Sequence, residues 1–254
     1  MSILNTIIER KKESLPRPGS IPRDLPKAAP GVVEKLRRKN NGASLIAEIK
    51  RRSPSRGSLR PTLSISEGID LYNPFASAIS ILTEENYFGG SLSDLQQAST
   101  LTQIPLLRKD FITIPEQVLE ARQAGASLYL LIVAALDYKQ MHELLAVGKE
   151  YGMPALIEVH NEKELEAALR HDIEILGVNN RNLHDLSIDL STTRRLLDAV
   201  PADLRQKLVT VAESGISRRS DLDLLPPDID ALLIGTAFME SDDPVSKLRE
   251  LTGR

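Results

Sequence analysis

Four short stretches of this chain end an apolar run in a charge. Leu45-Ile46-Ala47-Glu48-Ile49-Lys50 carries an acid and a base, Leu106-Leu107-Arg108-Lys109 a base, Leu156-Ile157-Glu158-Val159 an acid, and Val209-Thr210-Val211-Ala212-Glu213 an acid. Read as strands, side chains alternate between faces. Glu48 and Lys50 then share a face with Ile46, Lys109 with Leu107, Glu158 with Leu156, and Glu213 with Val209 and Val211. Carboxylates and ammonium groups gathered in this way suit proton exchange and anion binding. Burying a charge is costly unless it is paired, so a strand carrying two needs a reason. A solvated edge strand is the alternative for any one of them.

A further strand, Ile175–Asn179, leads into Asn180 and Arg181, with Asn179 and Arg181 on one face. Asn179 can donate and accept, and Arg181 suits a carboxylate, a phosphate or a structural ion pair that braces the layer. Two other strand ends carry glycine: Glu213-Ser214-Gly215 and Ile234-Gly235-Thr236. Backbone N–H groups at such turns can hold a phosphate, although Ser-Gly and Gly-Thr are also ordinary turns.

The elements that must position these groups recur along the chain. Strand candidates are Leu45–Lys50, Ala78–Leu82, Leu106–Lys109, Leu128–Val133, Ala155–Val159, Ile175–Asn179, Leu208–Glu213 and Ala231–Ile234. Helix candidates lie between them near Ser66–Tyr72, Ser91–Ser99, Pro115–Ala124, Tyr138–Tyr151, Glu162–Arg170, Leu190–Ala199 and Arg218–Leu224, with a last one at Pro244–Leu251. Ser91 and Asp94 have capping-box spacing. Pro115 and Pro244 suit a first helical turn. Eight such units predict an α/β fold, a (β/α)8 TIM barrel. The rival, an open doubly wound sheet, usually carries an early G-x-G-x-x-G, and none occurs. In the barrel, one interior layer is filled from alternate strands. The four charged ends fall on strands 1, 3, 5 and 7 and so reach one layer. Solvated edges have no reason to follow that pattern.

Before the barrel, residues 1–43 read as an N-terminal helical extension of a single domain spanning 1–254. Ser2 to about Ser14 is amphipathic through Ile3, Leu4, Ile7 and Ile8. Pro16, Pro18, Pro22 and Pro26 force an extended connection. Ala29 to about Asn40 returns to helix, and Asn41-Gly42 ends the section. Its basic run, Lys35, Arg37, Arg38 and Lys39, reads as a solvated helix face rather than a nucleic-acid patch. The polar loop Arg51–Gly57 on the active face is either an inert connection or a lid.

Composition narrows the function. The 254 residues are 41% hydrophobic with a net charge of −3, so no strong field favours nucleic acid or membrane. With no cysteine, disulfides, thiolate metal sites and cysteine nucleophiles are excluded. Four histidines without His-x-x-x-His give zinc little support. No apolar run spans a bilayer, and the N-terminus lacks the features of a signal peptide. A cytoplasmic protein is expected.

The motifs Ile46-Ala47-Glu48-Ile49-Lys50 with Ser53-Pro54-Ser55, Leu107-Arg108-Lys109-Asp110-Phe111-Ile112, Ile157-Glu158-Val159-His160, Gly177-Val178-Asn179-Asn180-Arg181-Asn182-Leu183 and Ala212-Glu213-Ser214-Gly215-Ile216 closely resemble the indole-3-glycerol phosphate synthase family, in order and spacing, from about residue 44 onward. The resemblance implies a carboxy-lyase of tryptophan biosynthesis. It closes the indole ring of an anilino-deoxyribulose phosphate, losing carbon dioxide and water, with no metal and no cofactor. It implies Lys109 as the acid that protonates the substrate carbonyl and Glu158 and Glu48 as acid–base partners. Lys50 is implied as a contact to the benzoate carboxylate or the phosphate and as a candidate later acid. Asn179 and Glu213 would bind and orient the substrate, Gly215, Gly235 and Thr236 grip its phosphate, and Ser214 assist; independently of the resemblance, an anionic substrate needs cations, which Lys50, Lys109 and Arg181 supply. Ser53 and Phe111 would flank the anthranilate ring, with Phe88 a further apolar candidate. A nearby Lys50 would lower the proton affinity of Lys109, and Glu48 and Glu158 would raise it. The expected partner is the phosphorylated small molecule, with no nucleic acid and no membrane. A monomer is expected, with other enzymes of the pathway as candidate partners. Tyr72-Asn73-Pro74-Phe75 and Pro226-Pro227 depart from the family pattern where local packing is at stake. The rivals are a phosphoribosylanthranilate isomerase, to which the missing cysteine is opposed, and a catalytically idle barrel serving as a scaffold.

Overall fold

In the computed structural model, which describes residues 3–39 and 42–253, the apolar runs close on one another. Eight parallel strands form a closed barrel: β1 (Ser44–Ile49), β2 (Ala78–Leu82), β3 (Leu106–Lys109), β4 (Leu128–Ile132), β5 (Ala155–Val159), β6 (Ile175–Asn179), β7 (Val209–Glu213) and β8 (Ala231–Ile234). Their side chains sort into two cores. Residues such as Leu45, Ala47, Ile49 and Ile157 face the surrounding helices. Ile46, Leu107, Leu130, Leu156, Val211 and Leu233 fill the interior. This division is the period-2 alternation of a strand buried on both faces.

The order of elements is the alternating one. The helices are α1 (Ile3–Lys11), α2 (Val32–Leu36), α3 (Ile65–Tyr72), α4 (Leu92–Leu101), α5 (Pro115–Gln123), α6 (Tyr138–Glu150), α7 (Glu162–Ala168), α8 (Ser191–Asp198), α9 (Ala202–Arg205), α10 (Thr236–Met239) and α11 (Pro244–Thr252). The Arg219–Leu224 segment, expected as an α-helix, is a 3-10 helix. Helix α3 begins on a reciprocal Ser64–Glu67 capping box. At α4 only half of the box forms. Ser91 Oγ accepts the Asp94 N–H at 3.1 Å, while the Asp94 carboxylate takes the Arg51 guanidinium instead, at 2.8 and 3.1 Å.

The N-terminal section departs most from expectation. Ala29–Asn40 is helical only over Val32–Leu36, between Gly31 at φ 90 and Arg37 at ψ 145; Asn40 itself lies outside the described residues, as do Ser2 and Asn41. Val32 and Leu36 belong to the interior core, and α2 contacts β1 and β2, so this turn plugs the end of the barrel where strands begin. The basic run is therefore not one solvated helix face. Arg37 donates to the carbonyls of Leu208 and Lys207 at 2.8 and 2.7 Å, and the Arg38 N–H donates to Asp230. The proline-rich connection is strapped down through Ala28 N–H to Tyr151 O at 2.8 Å and Tyr151 Oη to Arg23 O at 2.8 Å.

Candidate active site

The opposite end of the barrel is charged. Strand register sets the depth: Ile132 pairs with Glu158, Glu158 with Gly177, and Asn179 with Glu213. Lys109, at the end of β3, lies 2.9 Å from Glu158 Oε2 and 3.4 Å from Glu213 Oε2. Glu48 pairs with Lys50. All three carboxylates are buried. Every residue singled out from the sequence lines one cavity at this end: Glu48, Lys50, Ser53, Phe88, Lys109, Phe111, Glu158, Asn179, Arg181, Glu213, Ser214, Gly215, Gly235 and Thr236. Phe88 and Phe111 approach with ring centroids 6.1 Å apart.

Room for the long charged side chains comes from small residues on even strands. A Cβ on Gly177 would stand 2.2 Å from Glu213 Oε1, closer than any side chain permits. A Cβ on Gly235 would stand 2.7 Å from Glu48 Oε1. Gly235 therefore accommodates Glu48, besides standing at the start of α10. After β7, Ser214 and Gly215 are both left-handed, at φ 65 and 87. A serine there stores strain of about 1–2 kcal/mol, typical of functional turns.

Charge balance fixes protonation. Burial disfavours the Lys109 ammonium, but Glu158, Glu213 and Glu48 override it and raise its proton affinity. Of the two opposed influences expected from the sequence, the carboxylates prevail, and the Lys50 ammonium pairs with Glu48. Burial also pushes Glu158 up, yet Lys109 and His160 hold it well below the usual carboxylate range. Glu213 is driven the other way, to about 8, by burial, with Lys109 opposing and Glu158 reinforcing.

Arg181 braces its own loop through a carbonyl, Nη1 donating to Leu186 O at 3.1 Å, rather than through a carboxylate. Arg51, the first residue of the expected lid, is pinned to Asp94, Leu63 O and Gly89 O. Beyond it, Arg52–Ser53 and Gly57–Ser58 form a two-stranded hairpin at the cavity rim.

Other contributors were not singled out from the sequence. Ile3, Leu4 and Ile7 of α1 roof the cavity, and Lys11 pairs with Asp110. Asp110 also takes Arg108 at 3.0 Å and Thr83 Oγ1 at 2.6 Å. His160 stands against Glu158. Tyr72, in one of the two segments that depart from the family pattern, is fully buried. It donates to the Glu48 carbonyl at 3.2 Å and packs on Phe238 of α10. The amphipathic pattern of α1 was the available signal for the roof; the Arg108–Asp110 and Glu158–His160 contacts lie within the strand-end motifs, and the others join distant residues and leave no local trace.

A closed parallel barrel with buried acids and an ammonium at its C-terminal mouth is a (β/α)8 barrel with a charged cavity where enzymes of this fold place their active sites. Its fold is shared with solved structures of low identity. Over 83% of this chain, the tryptophan synthase complex from Pyrococcus furiosus superposes with a TM-score of 0.61 at 14% identity, with 98% of that chain covered. The 3-hexulose-6-phosphate synthase from Salmonella typhimurium gives 0.60 at 15%, covering 83% of this chain and 97% of that one. Sequence comparison is more specific. The family model for indole-3-glycerol phosphate synthase matches residues 4–251. The indole-3-glycerol phosphate synthase of Dehalococcoides mccartyi strain 195 is 41% identical over 251 residues, 96% of this chain and 95% of that protein. That of Polynucleobacter asymbioticus is 44% identical over 225 residues, 87% and 83% of the two. The chain belongs to the indole-3-glycerol phosphate synthase family, carboxy-lyases of tryptophan biosynthesis. The isomerase reading is thereby set aside. Among the described residues, no helix is long and apolar enough to cross a membrane.

Proposed function

We propose that the cavity converts 1-(2-carboxyphenylamino)-1-deoxyribulose 5-phosphate to indole-3-glycerol phosphate, and that Lys109 supplies the first proton. The carrying observation is the Lys109 ammonium between the buried carboxylates of Glu158 and Glu213. The ring carbon bearing the benzoate carboxylate attacks the substrate ketone. Its electron pair forms the new carbon–carbon bond, and the carbonyl π pair moves to oxygen, which takes a proton from Lys109. Loss of carbon dioxide returns an electron pair to the ring. A hydroxyl then leaves as water with a proton from an acid, and a carboxylate removes the proton that restores the indole. In net terms the new carbon–carbon bond takes the place of the carboxylate on the ring; two protons are delivered and one is removed, so one proton is taken from solvent and leaves in the water. These steps are proton transfers at positioned groups and call for no metal or cofactor.

The raised proton affinity of Lys109 keeps it protonated at working pH and makes it a weaker acid than an unperturbed lysine. Transfer therefore waits until negative charge develops on the ketone oxygen. Glu158 and Glu48 act as the acid–base partners. Lys50 meets the benzoate carboxylate or the phosphate. Asn179, Arg181 and Glu213 orient the chain of the sugar, while Gly215, Gly235 and Thr236, assisted by Ser214, hold the phosphate. Ser53, Phe88 and Phe111 flank the aromatic ring. Residues 1–254 act as one barrel unit and as a monomer.

Incubating the protein with the carboxyphenylamino-deoxyribulose phosphate should produce indole fluorescence. A folded protein that gives none would be a scaffold rather than an enzyme.

A further inference from the structure

His160 follows β5 by one residue, and its side chain is 8% exposed. Its ring stands between two acids. Nδ1 lies 2.8 Å from Glu164 Oε2, an oxygen that also accepts the His160 backbone N–H at 2.8 Å. Nε2 lies 3.3 Å from Glu158 Oε1, an ion-pair contact outside hydrogen-bond geometry. A neutral imidazole has one N–H and one lone pair. With an acid on each side, the lone pair of either tautomer would face a carboxylate, and only the imidazolium sets a positive charge against both.

The second acid is itself fixed. Glu164 Oε1 accepts from Asn161 Nδ2 at 2.6 Å, and the Glu164 N–H donates to Asn161 Oδ1 at 3.0 Å, in the cap of α7. The charge on His160 is thus built into the junction of strand and helix. It makes the two buried carboxylates around Lys109 unequal. Glu158 touches two cations, Lys109 and His160. Glu213 meets Lys109 alone, at the longer distance of 3.4 Å. Its Oε1 is buried with no hydrogen-bond partner among the described residues. An ionised oxygen so placed is costly, and a proton on it removes the cost.

We infer that His160, held as an imidazolium by Glu164, is a positioning residue that keeps Glu158 ionised as the base and leaves Glu213 to carry the proton the two carboxylates share. The kinetic consequence rests on the ring-closure reading above; the charge assignment does not. Charged groups facing the imidazole are Glu158 from β5 and Glu164 from α7. Those facing Glu213 are Lys109 from β3, Glu158 from β5 and Glu48 from β1. Burial opposes the charge on His160, but the two acids raise it to about 10, above any working pH.

Carbon-13 NMR of carboxyl-labelled glutamate, titrated in ligand-free protein, tests this. In His160→Gln the Glu158 titration should move up by about 1–2 pH units, the size expected for losing an adjacent opposite charge. Glu164→Gln, which keeps the imidazole, should move it the same way by less. In turnover, the acidic limb of kcat/KM should rise with the Glu158 titration. A purely structural His160 would lower the melting temperature and leave both curves in place. A folded His160→Gln protein with unchanged Glu158 titration overturns the inference. A shifted titration in a protein whose wild type makes no indole product would uphold the charge assignment and overturn the ring-closure reading.

Discussion

Gly177 and Glu213 share one space: a Cβ on the glycine would lie 2.2 Å from Glu213 Oε1 and 3.0 Å from Leu156 Cδ1. Neighbouring strands β6 and β7 thus divide the barrel mouth between a residue with no side chain and a long acid. Gly177→Ala should push Glu213 away from Lys109. We expect kcat to fall at least about tenfold and stability by about 1–3 kcal/mol, the usual cost of overpacking. Steady-state kinetics with urea unfolding checks this. Unchanged kcat would mean that Glu213 relaxes without consequence.

Gly235 presents the same geometry to Glu48, with contacts of 2.7 Å to Oε1 and 2.9 Å to Cβ. A glycine serving only the phosphate would affect uniform binding, raising KM with kcat unchanged. Because Glu48 must also move, Gly235→Ala should lower kcat as well as raise KM. A change confined to KM would leave Gly235 with phosphate binding alone.

Asp110 anchors the roof helix. Burial works against its ionised form, yet Arg108 and Lys11 bring its pKa to about 2, below the unfolded value of about 3.9. The stability it supplies is therefore complete above about pH 4 and is lost as pH falls toward about 2. The shift corresponds to about 2–3 kcal/mol. Urea midpoints of wild type should drop between pH 5 and pH 2.5 more steeply than those of Asp110→Asn. Parallel curves would contradict the account.

The barrel was legible because each strand announces itself by composition, and boundaries moved by no more than a residue: Leu45–Lys50 became Ser44–Ile49, and Leu208–Glu213 became Val209–Glu213. The charged layer was legible for a related reason, since alternation along a strand and alternation among strands both place side chains inward. What stayed hidden depends on meetings between distant residues. Nothing near Gly177 foretells Glu213, and nothing near Lys11 foretells Asp110. The Lys35–Lys39 run reads as a helix face until Arg37 turns out of the helix toward the carbonyls of Lys207 and Leu208. The balance of charge on Lys109 required knowing that Glu158 and Glu213 both reach it.

The proton-donor role of Lys109 is most directly tested by kcat of the Lys109→Met variant, measured beside substrate affinity and melting temperature. General acids contribute about 10²–10⁴-fold, so kcat should fall by about that factor in a folded protein, with substrate affinity changing far less. Near-normal turnover by the folded variant would contradict the assignment, leaving Lys109 as a counter-ion to Glu158 and Glu213.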